Sequence, residues 1–505
     1  MCKEAGCGCC AVTVTYAPGG DKAETMSINS CLCPLYSVDG WQITTVEGIG
    51  SQKDGFHPIQ ERIAKHNGTQ CGYCTPGFVM SMYGLLHQKP QLSQQEIEDS
   101  FDGHVCRCTG YRSILDAMKS FATDSTIPGA KCVDIEDLDR RLCPKTGESC
   151  LPAGQKNCPG PSRVCASTPR RLAVDLEHCR WYRPVSLVEL GKILQQHKTQ
   201  RVRLVFGNTA AGIFTLKHPF QVYIDLRAVR ELYLYKETDS SVTFGGGTTF
   251  TVWRERLRLL EQKPGYHYCS GILRHLKVFA SVLAGCLAGN LMIKYYRPDF
   301  PSDLFTILEA LGAKVKVFDS KTSKITQHTL LDFLRKVDMK GKIISSIQIT
   351  SWDIKDHYRS FKITPRWQNA HAYINAAFKI TIDNRKIIGQ PNFVIGGINA
   401  HTIHAVKAEE FIQNKTLSDD VINETLQIMF SELEPSEDPI LSSATYRRQL
   451  AVNLLYKVAH MVLCLIYLCL GSSHGSVFDL LTCVEKVVHL VLFDLPTSVK
   501  VAYLV

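Results

Sequence analysis

Eight cysteines, arranged in two groups of four, are the residues of this sequence best suited to chemistry. The later group consists of two close pairs, Cys71 with Cys74 and Cys106 with Cys108. Thiolate is the form of cysteine that binds metals, and the N-terminus of a helix stabilises its negative charge. Since each pair precedes a predicted helix, we expect the four sulfurs to point at one place. Four such thiolates hold either zinc or an iron–sulfur centre, and their number alone does not distinguish the two.

The earlier group lies at the start of the chain and has a more specific spacing. Cys2, Cys7 and Cys10 follow the pattern C-x4-C-x2-C, and Cys31 comes after an interval of hairpin length. This is the plant-type ferredoxin pattern, in which three thiolates come from one glycine-rich loop and the fourth from a neighbouring turn. The sequence therefore predicts two metal sites, and the first of them favours iron–sulfur over zinc.

A short sheet and a helical bundle must position these thiols. The alternation of residues 11–16 predicts a strand. Ile59 and Ile63 share one helix face, and Ser93 with Glu96 forms the capping box that begins another helix. We therefore expect a partial ferredoxin-like β-grasp domain over residues 1–45 and a helical domain over residues 50–125.

Composition narrows the class of protein. The chain has 505 residues, 45% of them hydrophobic and 21% charged, with a net charge of +9 and no basic cluster with interleaved aromatics. Nucleic acid is therefore not an expected partner. No signal peptide precedes the cysteines, so we expect a reducing, cytoplasmic location. Residues 458–470 are apolar but contain His460 and are too short for a bilayer span, which predicts a buried helix and no membrane association.

Residues 126–178 are predicted to be a linker. They carry Pro, Gly, Ser, Lys and Cys without apolar periodicity, which is typical of a connection between domains. The cysteines of this segment include no tight pair, so we expect free thiols here rather than a third metal site. They are Cys132, Cys143, Cys150, Cys158 and Cys165.

Three glycine-rich turns follow in the next part of the chain. They lie at residues 207–212, 245–249 and 285–290. Glycine-rich turns at strand ends let backbone N–H groups approach a pyrophosphate without an intervening side chain. None of the three matches G-x-G-x-x-G between a strand and a helix, so a Rossmann dinucleotide site is disfavoured.

Taken together and in this order, these motifs resemble the xanthine dehydrogenase and aldehyde oxidase family of molybdenum hydroxylases. The resemblance implies a multidomain α+β fold in which both thiol groups hold [2Fe–2S] clusters. It further implies an FAD-binding domain over 179–353, a CO dehydrogenase flavoprotein-like C-terminal domain over 356–465, and a tail of unknown role over 466–505. The amino-acid sequence at residues 369–372 and 396–399 is similar to that of insect aldehyde oxidases. The matching stretches begin with residues 2–10, Thr44-Thr45-Val46-Glu47-Gly48 and His57-Pro58-Ile59-Gln60-Glu61-Arg62.

The same resemblance implies the residues of a flavin site. Asp303 would accept a hydrogen bond from the ribose or adenine, with a helix N-cap as the alternative role. Phe279 would pack near the isoalloxazine, with plain core as the alternative. Ile344 and Lys362 would complete the pocket. The sequence departs from the family at Ala210 and in the shortened stretch 281–285. The pyrophosphate loop would be Leu204, Val205, Phe206, Gly207, Asn208, Thr209, Ala210 and Ala211, and the second loop Cys286, Leu287, Ala288, Gly289 and Asn290.

In complete family members a larger molybdopterin domain follows and hydroxylates the substrate. The resemblance therefore implies an oxidoreductase that is the electron-transfer half of such an enzyme. It would pass electrons from a molybdenum site through two [2Fe–2S] clusters to FAD and then to O2 or NAD+, as a homodimer. Molybdopterin would be present only if a missing domain or a partner supplies it.

Two other functions are alternatives to that one. The first is a truncated, catalytically inactive remnant that acts as a dimerisation or partner-binding module, and the second is a zinc-stabilised binding module. His371 and His404 have no partner at ligand spacing, so we expect them to be satisfied surface or core histidines rather than catalytic or metal-binding residues.

Overall fold

The structure, a computed structural model, describes most of the chain up to residue 470. The described residues are 2–17, 23–53, 55–101, 103–126, 170–214, 219–276, 285–365, 370–437 and 442–470, with the side chains of 464–470 left out. The greater part of the predicted linker and of the predicted tail lies outside these ranges, as do the five linker cysteines.

The first described unit is a small antiparallel sheet. It consists of β1 (Ala11–Tyr16), β2 (Glu24–Asn29) and β3 (Gln42–Thr44), in the order β2-β1-β3. The predicted strand at 11–16 is confirmed. Val14 and Met26 are buried on this sheet, and the hydroxyls of Thr13 and Ser27 donate to the Met80 carbonyl of the neighbouring bundle. The sheet and the bundle therefore form one continuous support for the thiols.

A helical bundle follows the sheet. Ile59, Phe78 and Ile97 have no exposed surface, because each lies on the inner face of its helix. Ser93 accepts from the Glu96 N–H while the Glu96 side chain accepts from the Ser93 N–H, which confirms the predicted capping box. The helices are α1 (Val46–Ile49), α2 (Pro58–Lys65), α3 (Thr75–Gln88), α4 (Gln94–Asp99) and α5 (Arg112–Lys119).

The third unit contains two sheets with helices packed on them. One sheet has the order β4-β5-β7-β6, with β7 parallel to both β5 and β6, and the other is the antiparallel β11-β10-β12-β9-β8. β4 lies inside the range predicted as linker. Its residues pair in register with β5, so this end of the range is part of the sheet. The elements are β4 (Leu172–Asp175), β5 (Arg180–Arg183), α6 (Leu187–Gln196), β6 (Val202–Val205), β7 (Val222–Asp225), β8 (Tyr235–Thr238), β9 (Ser241–Gly245), α7 (Phe250–Leu260), α8 (Cys269–Leu276), α9 (Leu287–Tyr296), α10 (Asp303–Ala310), β10 (Lys314–Asp319), β11 (Lys324–Thr329), α11 (Leu330–Lys336) and β12 (Lys342–Thr350).

The last described unit is an antiparallel sheet, β13-β14-β15-β16, covered by helices. Val458 and Val462 of its final helix are buried in its core, as the prediction of a buried helix requires. Among the described helices, none combines the length and the apolar character needed to cross a bilayer. The elements are β13 (Asp356–Ile363), β14 (Ile374–Asp383), β15 (Lys386–Gly396), β16 (Ile403–His404), α12 (Val406–Ile412), α13 (Asp419–Glu432) and α14 (Ala444–Leu470).

His404 joins this last unit to the preceding one. Its Nδ1 lies 3.0 Å from a carboxylate oxygen of Glu409, and its Nε2 lies 3.2 Å from one of Glu309 on α10. Burial alone would lower the pKa of His404, but hydrogen bonds to the two carboxylates outweigh it and raise that pKa to about 9. The expectation of a satisfied histidine is therefore confirmed at this position.

We predict that stability falls as the pH rises through about 9, because the doubly paired imidazolium then loses its proton. The contribution of His404 is fully present below the unfolded pKa of about 6.5 and amounts to roughly 3 kcal/mol. Urea unfolding between pH 6 and pH 10 measures it. The His404→Gln variant should lose this pH dependence, whereas His401→Gln, at an exposed neighbouring position, should keep it. Equal pH profiles for the two variants would contradict the assignment.

Candidate functional site

The four thiols of the later group come together at the ends of α3 and α5. The Cys74 thiol contacts that of Cys106, and the Cys71 thiol contacts that of Cys108. Cys74 immediately precedes α3, and its partner Cys106 lies in the turn before α5. The inner pair is buried at 8% exposure each, whereas the outer pair is exposed. The structure therefore places all four sequence-predicted residues in one site, as two pairs.

Local donors favour the thiolate form of Cys106. Its sulfur lies 3.1 Å from the Thr109 hydroxyl and accepts from the Thr109 backbone N–H at 3.5 Å. Burial would raise the pKa of Cys106, but these donors and the Cys74 thiol bring it below its ordinary value. Burial and the neighbouring Cys106 instead raise the pKa of Cys74 to about 12. A thiol in that position ionises when a metal ion supplies the opposite charge.

The four thiols of the earlier group also lie in pairs. Cys7 contacts Cys2 within the N-terminal loop, and Cys31 contacts Cys10. Strand pairing is what brings the second pair together, because Cys10 precedes β1 and Cys31 follows β2. The Ser30 N–H donates to the Cys10 carbonyl at 3.2 Å and closes this end of the hairpin.

The arrangement in pairs fits a binuclear cluster. A [2Fe–2S] centre with four cysteines takes two of them on each iron, the remaining positions being filled by sulfide. Each of the two sites offers two pairs of contacting thiols. In the described part of the chain, no three Cys, His, Asp or Glu side chains lie close enough together to form a group that could hold a metal ion. The fit to a [2Fe–2S] centre therefore rests on the contacts of the thiols in pairs at both sites.

The two thiol sites are in direct backbone contact. The Val105 N–H donates to the Cys7 carbonyl at 3.1 Å, which links a residue of the first site to the neighbour of Cys106 in the second. Gly77 on α3 lies so close to Gly8 that a Cβ on Gly77 would overlap the Gly8 carbonyl. Close approach of this kind needs glycine. The two thiol sites are therefore neighbours in the fold.

The predicted flavin loops meet around the glycine turn at 245–249. The ring of Phe206, in the first loop, lies against Gly247, where an added Cβ would come within 2.9 Å of it. The Ala288 N–H of the second loop donates to the Gly246 carbonyl at 3.0 Å. A Cβ on Gly246 would overlap the carbonyl of Ile344. The structure therefore brings together both predicted loops and Ile344, with the glycine turn between them.

The second loop forms the start of α9. The Cys286 thiol accepts from the Gly289 N–H at 3.3 Å and acts as N-cap of this helix. Asn290, one turn on, accepts from the Ser302 hydroxyl at 2.5 Å, next to Asp303. The N–H groups of Leu287 and Ala288 donate to the carbonyls of the glycine turn at 245–249, and those of Gly289 and Asn290 donate to Cys286. The first N–H groups of this helix are therefore paired within the protein, and a pyrophosphate-binding role for this loop stays a prediction.

Asp303 lies at the centre of a buried charged network. The Lys362 ammonium lies 2.9 Å from its carboxylate, the His275 Nε2 lies at 3.5 Å, and the Asn375 amide donates at 2.8 Å. Burial would raise the pKa of Asp303, but the charge of Lys362 and the hydrogen bond to His275 hold it well below its usual range. The N-cap alternative is wrong, because the cap of α10 is Ser302.

The sequence missed three contributors to this site. His275 and Asn375 contact Asp303 but lie 28 and 72 residues from it along the chain. No spacing pattern could have indicated them. Gly246 was recognised as part of a glycine turn, but its contact with Ile344 depends on the pairing of β9 with β12. Phe279 and residues 281–284 of the shortened stretch 281–285 lie outside the described residues, and both calls stay predictions.

Three family descriptions match successive parts of the chain. Residues 45–119 match the [2Fe-2S] binding domain, and residues 176–352 match the FAD binding domain in molybdopterin dehydrogenase. Residues 359–462 match the CO dehydrogenase flavoprotein C-terminal domain. The matched ranges correspond to the helical bundle, the two-sheet unit and the last described unit.

Whole-chain relatives agree with these matches. The chain is 32% identical over 499 residues to indole-3-acetaldehyde oxidase of Arabidopsis thaliana, covering 90% of this chain and 35% of the relative. It is 33% identical over 490 residues to abscisic-aldehyde oxidase of the same plant, covering 90% and 36%. Xanthine dehydrogenase of Oryza sativa subsp. japonica is 30% identical over 507 residues, covering 90% and 36%.

The chain thus spans little more than a third of the length of these relatives. Its described units contain the cluster-binding bundle, the flavin-binding unit and the flavoprotein C-terminal unit, in the order in which the family carries them. The chain therefore belongs to the xanthine dehydrogenase and aldehyde oxidase family of molybdenum hydroxylases and carries that family's iron–sulfur and flavin parts.

Proposed function

We propose that this protein relays electrons between two [2Fe–2S] clusters and a bound FAD. The observation that carries the proposal is the contact of three sites in series. The two thiol sites touch through the Val105–Cys7 hydrogen bond, and the first of them also touches the first flavin loop through Asn208 and Leu32. Short separations of this kind are what successive electron transfers require, and the cofactors supply one-electron and two-electron chemistry respectively.

The protein's own residues would bind and orient these groups. The ligands would be the two contacting thiol pairs at each site, and Thr109 would donate to the second cluster's Cys106 sulfur. The loop at 204–211 would offer backbone N–H groups to the pyrophosphate, and the second loop at 286–290 would pack beside it across the glycine turn. Ile344 and Lys362 would complete the flavin pocket.

The substrate chemistry and the electron acceptor come from the resemblance. Relatives of this chain are named aldehyde oxidases and a xanthine dehydrogenase, so we propose that electrons enter from a molybdenum site which hydroxylates a substrate of that class. That site would belong to a further domain or a partner. Electrons would leave from FAD to O2 or NAD+, and the assembly would be a homodimer.

The visible spectrum of the purified protein tests the proposal. We expect flavin and iron–sulfur absorption bands that bleach on addition of dithionite, because both cofactors accept electrons. Iron, acid-labile sulfide and flavin are quantified on the same sample. A colourless protein that contains zinc would instead support the zinc-stabilised module. A colourless and metal-free fold would support the inactive remnant.

A further inference from the structure

We propose that occupancy of the first iron–sulfur site and binding of FAD are thermodynamically coupled through the loop at 204–212. This inference rests on the proposed function, since it takes the earlier thiol group as a cluster site and this loop as a flavin loop. It goes further by assigning Asn208 and Gly212 a role in transmitting the state of one site to the other. Two independent contacts carry it.

The first contact joins the flavin loop to the turn that bears Cys31. Asn208 has a left-handed backbone, with φ of 54°, and its side-chain amide donates to the Leu32 carbonyl at 2.8 Å. The Arg203 guanidinium donates to the side-chain oxygen Oδ1 of Asn208 at 2.8 Å and fixes the orientation of that side-chain amide. Because Leu32 follows Cys31 directly, a shift of the ligand turn changes this hydrogen bond.

The second contact joins the flavin loop to the segment between Cys2 and Cys7. Gly212 lies so close to Glu4 that an added Cβ would overlap the Glu4 backbone. No side chain separates the two segments at this point. The loop therefore rests on both of the segments that supply thiols to the first site.

The surrounding interface keeps the two units in register. Arg183, which is only 5% exposed, donates to the Asp39 carboxylate at 3.1 Å. The Arg227 guanidinium lies 4.4 Å above the ring of Trp41 and pairs with Asp225 at 3.2 Å. Asp39 and Trp41 belong to the ferredoxin-like unit, and the two arginines belong to the flavin unit. These interactions therefore fix the two units relative to each other where the flavin loop contacts Leu32 and Glu4.

Coupling follows from what the first cluster does to its ligand segments. When iron binds, it fixes residues 2–10 and the turn at Cys31 in one arrangement, and the flavin loop docks on that arrangement. Without iron, the free thiols let both segments move, and FAD binding then has to order them as well. The free-energy cost of this ordering weakens FAD binding. By reciprocity, the absence of FAD weakens occupancy of the first cluster site by the same factor. Such couplings are typically about 5- to 150-fold in affinity.

The test measures FAD affinity with and without the first cluster. FAD is removed from the full chain, and its dissociation constant is determined by flavin fluorescence for wild type and for Cys10→Ser. Among the described residues, Cys10 makes no hydrogen bond to Leu32 or Glu4, and the signal of the reduced second cluster reports that the variant is folded. We expect the dissociation constant to rise about tenfold in Cys10→Ser.

Asn208→Asp is the decisive variant. Aspartate keeps the acceptor for Arg203 and tolerates the left-handed backbone, but it cannot donate to Leu32. Any direct effect of Asn208→Asp on FAD binding changes the dissociation constant equally with and without the first cluster. Loss of coupling instead brings the ratio of these two dissociation constants close to one. Asn414→Asp, an exposed left-handed asparagine in the last unit, is the matched control and should keep the tenfold ratio. Gly212→Ala should also reduce the ratio, while Gly191→Ala, which has room for a Cβ, should not.

A second measurement covers the case in which Cys10→Ser does not fold. Wild-type protein is equilibrated with an iron chelator, with and without FAD. Bound FAD should raise the chelator concentration that empties the first site by the same factor, and Asn208→Asp should abolish the rise. Equal FAD affinity with and without the first cluster would overturn the inference while leaving the proposed function intact. Failure of the protein with both clusters to bind FAD would overturn the proposed function itself.

Discussion

Replacing Cys71 with serine is expected to lower the iron content of the protein by about half, because a [2Fe–2S] centre depends on four thiolates. Cys71 pairs with Cys108 at the exposed side of the second site. A serine hydroxyl is a poor replacement for a thiolate ligand. Iron and sulfide analysis, together with the spectrum of the dithionite-reduced protein, measures the loss. The signal of the first cluster should persist.

The same change should destabilise the helical bundle. Metal binding contributes directly to the free energy of folding where a site closes only with the metal in place. Here the thiols connect the start of α3 to the turn before α5, so their metal would hold two helices together. We expect faster proteolysis within residues 50–125 of the Cys71→Ser protein, with the flavin unit resisting as in wild type.

Cys9→Ser is the matched control for Cys71→Ser. Cys9 lies between two proposed ligands, but its thiol donates to the Cys7 carbonyl at 3.7 Å and has no assigned ligand role. We expect its iron content to equal that of wild type. Equal iron losses in the Cys9 and Cys71 variants, or an unchanged iron content in the Cys71 variant, would refute the ligand assignment.

Replacing Lys362 with methionine is expected to destabilise the protein by about 3–5 kcal/mol, the usual result of leaving one charge of a buried pair without its partner. Lys362 and Asp303 are 7% and 6% exposed at their side chains and lie 2.9 Å apart. Removal of the ammonium takes away the ion-pair partner at 2.9 Å, while the His275 imidazole stays 3.5 Å from the buried carboxylate. Urea unfolding at neutral pH measures the change.

A surface pair provides the comparison. Lys355 lies 3.0 Å from Asp383, but both side chains are more than 40% exposed. Lys355→Met should therefore have a much smaller effect on stability than Lys362→Met. Adding Asp303→Asn to Lys362→Met should recover part of the lost stability, since the uncompensated charge is then gone. If Lys362→Met costs no more than Lys355→Met, the buried network does not contribute as proposed.

The Lys362 variant also bears on flavin binding. Asp303 and Lys362 lie beside the second loop, which Ser302 connects to Asn290. A carboxylate that has lost its ion pair changes position or takes up a proton, and the loop then loses its support. We expect weaker FAD binding in Lys362→Met, measured by flavin fluorescence on protein that remains folded below the unfolding transition.

Local patterns in the sequence were enough to predict the elements that carry the chemistry. The strand at 11–16 and the capping box at Ser93 and Glu96 depend on residues within one element, and both are confirmed. The cysteine spacings likewise predicted two groups of four thiols, although folding was needed to bring Cys31 to Cys10 and Cys106 to Cys74. Hydrogen bonds and side-chain periodicity within a few residues act before any tertiary contact forms.

The tertiary structure decided how the sites relate to one another. Nothing in the spacing indicated that Asn208 would donate to Leu32, or that Gly77 would lie against Gly8. The spacing also could not show that His275 would approach Asp303, or that His404 would lie between two carboxylates. These contacts join residues that are distant along the chain, and they depend on how separate sheets and helices pack. The chain alone thus determined which groups could bind iron and flavin, whereas packing decided that the sites touch, because contact between distant segments exists only in the folded protein.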